Sequence, residues 1–330
     1  MNRTLNRRSA IGTVAMFAAT IATAGIAQAQ SYPTHPITLL VPFAAGSATD
    51  TVARLVSAKM SAQLGQPIVI ENLAGAGGTI AAARAARSTP DGYTLLIHTT
   101  IALSAVLYKH LDYDTATAFE PLGLINSGPY VLTSKLGYEA KDAKDFLASL
   151  KERGEQVAFA HAGVGTGSHL CALMLMQAMN FKTNLVPYRS TSLAMNDVVA
   201  GQVDVLCDQT TNSFPLIQSK SVHAYAITSA KRNPRFPDIP TMTELGLPQV
   251  DVTVWHGLYA PKGTPVEILD RLHAALEAAL ADPTVDARLE ELGTELFPPD
   301  QRSREAHAKK LASELTRLRE VVQKAGVHLD

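Results

Sequence analysis

Short apolar runs alternate with amphipathic stretches along most of the chain. Residues 37–41 are apolar apart from one Thr, a strand pattern ended by Pro42 and Gly46. Over 50–64, Val52, Leu55, Val56 and Met60 share one face of a predicted helix, and Gly65 stands where a C-terminal cap belongs. Pro67 opens a second strand at 68–71. The turn Gly75-Ala76-Gly77-Gly78 leads into an Ala-rich helix over 79–88, and Pro90-Asp91-Gly92 turns the chain into a third strand at 94–98. Strand, helix, strand, helix, strand predicts a parallel sheet with right-handed crossovers.

The same order restarts in the middle of the chain. A strand at 157–161, a glycine-rich loop and an apolar helix over 168–179 come first. Then follow a strand at 185–188, a helix over 193–200 with Ser192 as N-cap and Gly201 as C-cap, and strands at 203–207 and 222–228. The Pro-rich segment 233–248 reads as a connection carrying one short helix. A strand at 253–260 and helices over 265–280, 285–292 and 303–325 complete the pattern. Two α/β blocks and a helical tail long enough to return to the first predict two lobes around a cleft. The second lobe falls at 128–229, inserted into a first lobe made of 30–127 and 230–330.

Residues 1–29 stand apart. They carry Arg3, Arg7 and Arg8, no acidic residue, an apolar run over 11–26, and Ala27-Gln28-Ala29, the small-x-small pattern of a signal-peptidase site. A buried N-terminal helix is the alternative, and the run is too short and too broken by Thr and Gly for a good membrane span. Cleavage after Ala29 leaves a mature chain of 301 residues from Gln30, with net charge −4. The whole chain has 29 basic and 30 acidic residues in 330, so no basic surface supports nucleic-acid binding. Its two cysteines, Cys171 and Cys207, build neither a zinc site nor a dense disulfide framework. Export permits a bond between them: Cys171 falls in the first turn of a helix, and Cys207 ends a neighbouring strand. Two buried free thiols are the alternative.

In parallel sheets, ligands bind at the carboxyl ends of strands, where helix N-termini present free N–H groups. Three loops suit an anion there. The first is Phe43-Ala44-Ala45-Gly46-Ser47-Ala48-Thr49-Asp50, in which Ser47 and Asp50 have capping-box spacing. The second is Gly75-Ala76-Gly77-Gly78, and the third is Gly163-Val164-Gly165-Thr166-Gly167-Ser168 before His169. Read singly, each is also a tight strand-to-helix turn; together they favour a carboxylate or phosphate site. The third loop lacks the last Gly of a dinucleotide fingerprint, and no P-loop Gly-Lys-Ser/Thr occurs. The ten histidines form no metal-ligand spacing, and Gly-x-Ser-x-Gly is absent. His161 and His169 flank the third loop, with acid–base, ligand-binding and structural roles all open. Arg189 is a candidate cation for a second ligand carboxylate or a solvated rim residue. Asp208 and Gln209 end a strand as cleft candidates, with a helix-capping role open for Asp208. Trp255 and Tyr259 read as core.

Several motifs carry a family likeness. Pro42-Phe43-Ala44-Ala45-Gly46 with Asp50 and Ala53-Arg54, and Glu71-Asn72 with Gly75-Ala76-Gly77-Gly78, resemble the Bug-type solute receptors of tripartite tricarboxylate transporters. So do Pro90-Asp91-Gly92-Tyr93-Thr94, Val186-Pro187-Tyr188-Arg189, Gly201-Gln202-Val203-Asp204, Pro240-Thr241 and Ala260-Pro261-x-Gly263-Thr264-Pro265. Ser168-His169-Leu170-Cys171, Cys207-Asp208-Gln209-Thr210-Thr211-Asn212 and Trp255-His256-Gly257-Leu258-Tyr259 look like the branch containing terephthalate receptors. The resemblance implies an α/β, two-lobed type II periplasmic-binding-protein fold with a ligand cleft between the lobes. It implies a monomeric periplasmic receptor without cofactor, metal or catalysis, which hands a small carboxylate to integral membrane transporter subunits. It further implies that Gly46, Ser47, Ala48, Thr49, Asp50, Gly75, Ala76, Gly77 and Gly78, with Thr99 and Thr100, grip one carboxylate through backbone amides and ordered water. Gly163, Thr166, Gly167, Ser168, His169, Arg189, Ser190, Thr191 and Asp208 would face the ligand's other end. Ser47 stands where the family often has a second Gly, and Ser190 where Gly usually follows the Tyr-Lys or Tyr-Arg pair; the departures imply either added hydroxyl contacts or a different ligand orientation. The competing class is an exported α/β hydrolase acting on a carboxylate ester through His161 or His169.

Overall fold

The computed structural model describes residues 32–99 and 101–325; the leader, its cleavage point and Thr100 lie outside them. Along the chain, β1 (Ile37–Val41), α1 (Ala48–Leu64), β2 (Ile68–Asn72), α2 (Thr79–Ala86), β3 (Thr94–His98) and α3 (Ile101–Leu107) form the first block. A 16-residue strand, β4 (Phe119–Ser134), leads to α4 (Ala143–Arg153), β5 (Ala158–His161), α5 (Gly167–Met179), β6 (Asn184–Pro187) and α6 (Thr191–Val199). Then come β7 (Val205–Gln209), α7 (Thr210–Gln218), β8 (His223–Ile227), β9 (Thr253–Pro261), α8 (Val266–Leu280), α9 (Pro283–Glu291), β10 (Glu295–Leu296) and α10 (Arg304–Ala325).

β1 pairs in parallel with β2 and β3, and β5 with β6 and β7, as the alternating pattern predicts. The rest is antiparallel, which that pattern did not predict. β9 lies between β3 and the first part of β4, and β10 borders the same part. From Tyr130 onward β4 changes partners, facing β7 on one side and β8 on the other. One long strand therefore belongs to both half-sheets, with the change at Pro129–Tyr130.

Local chemistry sets the helix ends. Gly65 closes α1 at φ +71 and returns its N–H to Ser61 O. Ser190, not Ser192, caps α6, and Ala200 closes it, one residue before Gly201. Within 233–248 the chain makes turns and one β-bridge residue rather than a short helix: Pro234, Pro237 and Pro240 break the first part, and the stretch 241–247 makes a single turn, Leu245 N donating to Thr241 O, that Gly246 ends at φ +81. Val52, Val56 and Met60 of α1 pack with Leu272 and Leu276 of α8 on one face of the first half-sheet. On the other face, α2, α3 and α10 share a core that continues into the second half through Leu170 and Leu175 of α5. Inside it, Cys171 and Cys207 are joined by a disulfide, both fully buried. Among the described residues no helix is long and apolar enough to cross a membrane.

Candidate functional site

The first wall of the site is the turn from β1 into α1. Ser47 caps α1, its Oγ accepting from Asp50 N at 3.3 Å. The Asp50 carboxylate turns away from the cleft. It accepts from Gly46 N (2.9 Å), Arg54 Nε (2.8 Å) and Asn72 Nδ2 (2.9 Å), and the Asn72 amide also donates to Phe43 O at 3.0 Å. Burial alone would raise the Asp50 pKa; hydrogen bonds from Arg54, Gly46 and Asn72, with the charge of Arg54, bring it below the ordinary value. Gly46 and Asp50 thus shape the turn, and Ser47, Ala48 and Thr49 face the cavity.

The opposite wall comes from the second half-sheet. Thr166 caps α5, accepting from His169 N and donating to Gly163 O at 2.6 Å. Ser190 caps α6, which places Thr191 at its first turn, and Gln209 precedes α7. Ser47–Thr49, Thr166–Ser168, Thr191 and Gln209 all line one cavity, completed by Phe43, Thr99, Tyr130 and Ala162. The N-termini of α1, α5, α6 and α7 therefore open onto one narrow space. Each contributes free N–H groups and the positive end of its dipole. Among the described residues the polar lining consists of hydroxyls and one amide, without a charged side chain. Thr99 Oγ1, Ser168 Oγ and Gln209 Oε1 are buried there without hydrogen-bond partners.

Other sequence candidates stand behind or outside this lining. The Gly75–Gly78 turn forms part of a contact between the halves. A Cβ at Gly77 would lie 2.6 Å from Val164 O, and one at Gly78 would lie 2.6 Å from the His98 ring. Ser104 Oγ lies 3.2 Å from Gly77 O and 3.4 Å from Gly165 O, while Tyr108 OH donates to Val164 O at 3.1 Å. Gly163 bends the third loop at φ +101. The fully buried Ser190 hydroxyl serves the α6 cap and lies 2.9 Å from Ser192 Oγ. Arg189 is exposed and outside the lining.

Asp208 is fully buried one residue behind Gln209, its carboxylate accepting from Gln209 N at 2.7 Å and held by Asn212 and Thr191. Burial pushes its pKa up to about 6 against those hydrogen bonds. The His161 and His169 rings lie close together, centroids 4.6 Å apart and planes tilted by 34°, also behind the lining. Burial lowers both pKa values, that of His169 to about 4 with His161 adding to the effect. Phe43 opens the first predicted loop, and the lining residues that sequence reasoning missed are Tyr130 and Ala162. Ala162 adjoins the third predicted loop, but Tyr130 sits on a strand hidden by its own Gly and Pro residues.

Over residues 52–327 the chain matches the tripartite tricarboxylate transporter family receptors, TctC. A solved structure of the periplasmic binding protein BugD shares 41% identity at a TM-score of 0.87, covering 90% of this chain and 99% of that one. MatC from Rhodopseudomonas palustris, solved with bound malate, shares 39% identity at 0.85, covering 88% of this chain and 100% of its own. A third structure, Rpa4515 from R. palustris with adipate, shares 30% identity at 0.85, covering 90% and 99% of the two chains.

Proposed function

The chain belongs to the tripartite tricarboxylate transporter receptor family, the Bug-type solute-binding proteins, and on that premise we propose that it is a periplasmic receptor for a small carboxylate. It captures the anion and delivers it to membrane transporter subunits without transforming it. The observation that carries this reading is the meeting of four helix N-termini, from both half-sheets, on one cavity lined by hydroxyls. Backbone N–H groups and helix dipoles favour a carboxylate without any lysine or arginine in the lining. The bound forms of two relatives, with malate and with adipate, point to the same ligand class.

In this reading Ser47, Ala48, Thr49 and Thr99 hold the anion from the first lobe, and Thr166, Gly167, Ser168, Thr191 and Gln209 from the second. Gly46, Asp50, Gly163, Ser190 and Asp208 hold those residues in place, and the Gly75–Gly78 turn meets the Val164–Gly165 loop as the lobes close. The lobes divide at 127/128 and 229/230, close to the point where β4 changes partners. Nothing in the site favours hydrolysis: the two histidines stand behind the lining, and Ser168 Oγ receives no hydrogen bond from either.

The test is a thermal-shift and calorimetry panel of small carboxylates on the mature chain. A ligand that binds only the native state at 100 times its Kd adds about 2.7 kcal/mol of stability. At least one carboxylate should raise the melting temperature and be recovered unchanged. Absence of binding across the panel, or consumption of the bound ligand by purified protein, overturns the reading.

A further inference from the structure

A carboxylate without a counter-cation is buried beside the site proposed to bind an anion. Among the described residues, the buried carboxylates Asp50, Asp204 and Glu314 are each paired with a lysine or arginine, and Asp208 is not. Asp208 is fully buried and relies on neutral donors. It accepts from Gln209 N at 2.7 Å and from the Asn212 amide, and the Thr191 hydroxyl also holds it. Thr191 and Gln209 both line the cavity. The starts of α6 and α7, two of the four helix N-termini offered to the ligand, therefore already serve one anion.

Every element packed around Asp208 leaves it without a compensating charge. Side chains alternate along β7, so Cys207 faces α5 while Leu206 and Asp208 face α6 and α7. α7 carries no charged residue, and α6 carries only Asp197, which accepts from Tyr188 OH at 2.5 Å. Arg189, just before α6, is exposed. α1, which also touches α7, brings Asp50 and Arg54 bonded to each other. On β4, Tyr130 is the titratable neighbour, and the charge of Asp208 helps to raise its pKa. On β5, His161 shares the face of Phe159 and Cys207, turned toward α5 and His169 and away from Asp208.

A ligand carboxylate in the cavity would draw on the same donors as Asp208, and two carboxylates sharing one set of donors do not both stay charged. We propose that Asp208 takes up a proton from solvent as the ligand carboxylate binds, so that the receptor captures anion and proton together and releases them together. The inference rests on the carboxylate-receptor reading and adds its regulation: acid favours capture and alkali favours release. Asp208 is a positioning residue, acting on the ligand through Thr191 and Gln209. Its own titration suits this role. Burial pushes its pKa up to about 6, so the carboxyl is mostly charged at pH 7 and a second negative charge nearby is enough to neutralise it.

Calorimetry on the mature chain tests this, using whichever of malate, adipate and terephthalate binds most tightly. Titrations at pH 7 in phosphate and in Tris, buffers of small and large ionisation enthalpy, count the protons taken up. A neighbouring carboxylate that raises a carboxyl pKa by about one to two, from a start of about 6, brings uptake of about 0.4–0.8 proton per ligand at pH 7. Affinity should fall about threefold to twentyfold between pH 6.5 and 8.5, where these ligands are themselves ionised. Infrared difference spectra with isotope-labelled ligand carboxyls should show a protonated-carboxyl band from the protein, which no histidine can give. Asp208→Asn should still bind, and should lose the band, the uptake and the pH dependence. If that variant misfolds, the wild-type spectrum still decides between a carboxyl and a histidine. Binding with uptake below about 0.1 proton, or uptake that persists in folded Asp208→Asn, overturns proton capture and leaves the receptor reading intact. A wild type that binds no carboxylate of the wider panel overturns both.

Discussion

Replacing both cysteines with alanine tests whether the disulfide holds the second wall of the site together. Cys171 lies three residues after Ser168 on α5, and Cys207 lies two residues before Gln209 on β7. The bond therefore ties two of the four helix starts that line the cavity. It closes a loop of sequence separation 36. Constraining the unfolded chain over that length is worth about 4 kcal/mol by the loop-entropy relation. The flanking core is already dense, since both sulfurs are fully buried among Leu132, Leu170, Leu175 and Val205. Cys171→Ala/Cys207→Ala should thus lower the urea unfolding free energy by about 4 kcal/mol and the melting temperature by about 10 °C. Carboxylate affinity should fall as well, because Thr166–Ser168 and Gln209 lose their fixed spacing. Wild type treated with reductant in denaturant and refolded reduced should behave like the variant. A stability loss below about 1 kcal/mol, or two alkylatable thiols in the non-reduced wild type, refutes the reasoning.

Two further outcomes follow from particular contacts. Tyr108→Phe removes the hydroxyl that donates to Val164 O across the halves, and Gly77→Val puts a side chain against the same carbonyl. Ligand affinity should fall about 2–13-fold in the first, the equivalent of one net hydrogen bond, and further in the second, with dissociation rates rising; unchanged dissociation in both would remove this contact from closure. The second outcome is acid lability. Burial lowers His98 and His169 to about 4 and His256 and His307 to about 3, so each favours the folded state above the unfolded value of 6.5 and loses that contribution as pH falls toward 4. Each such group costs about 2 kcal/mol at pH 5. Asp208, raised to about 6, has the opposite sign: its contribution is complete below about 4 and lost as pH rises through 6. Urea midpoints should therefore drop steeply between pH 6.5 and 5, and a flat profile there would show that the histidines titrate normally.

The parts of the fold that were legible in sequence are those where pattern and punctuation agree. β1, α1 and Gly65 are set by an apolar run, a 3.6-residue face and a glycine at positive φ, all local signals. β4 was missed for the converse reason. Pro121, Gly123, Gly128 and Pro129 read as breaks, yet the strand runs through them because it changes neighbours, with register shifts at 121/123 and 124/127. α3, apolar except for the buried Ser104, packs against α2 and α10 and has no charged face, so it shows no helical periodicity. α7 carries an internal Pro215, which removes one N–H from the helix and interrupts the pattern a sequence reading relies on.

The site divides along the same line. Ser47 was legible because capping chemistry is local: a hydroxyl placed just before an apolar helical face announces an N-terminus. At α6 the same rule chose Ser192 instead of Ser190, and Thr49, Thr166 and Thr191 came with the loops and motifs of the family resemblance. The sequence cannot announce that four such termini meet, since that depends on β4 carrying the chain from one half-sheet into the other. Side-chain charge misled for a related reason. Arg189 and Asp208 looked suited to a carboxylate ligand and its surroundings, yet the first is exposed and the second lies behind Gln209. Where backbone amides supply the positive potential, ionic side chains in the lining become unnecessary, and an acidic one would repel the ligand. Asp50 shows how the carboxylates are used instead: it accepts from Gly46, Arg54 and Asn72, and so fixes the turn whose next three residues face the cavity. Polar groups that shape the site thus sit one layer behind the groups that line it. A family motif such as Pro42-Phe43-Ala44-Ala45-Gly46 with Asp50, Arg54 and Asn72 therefore marks the scaffold of this cavity wall, with Phe43 its one lining member among the described residues.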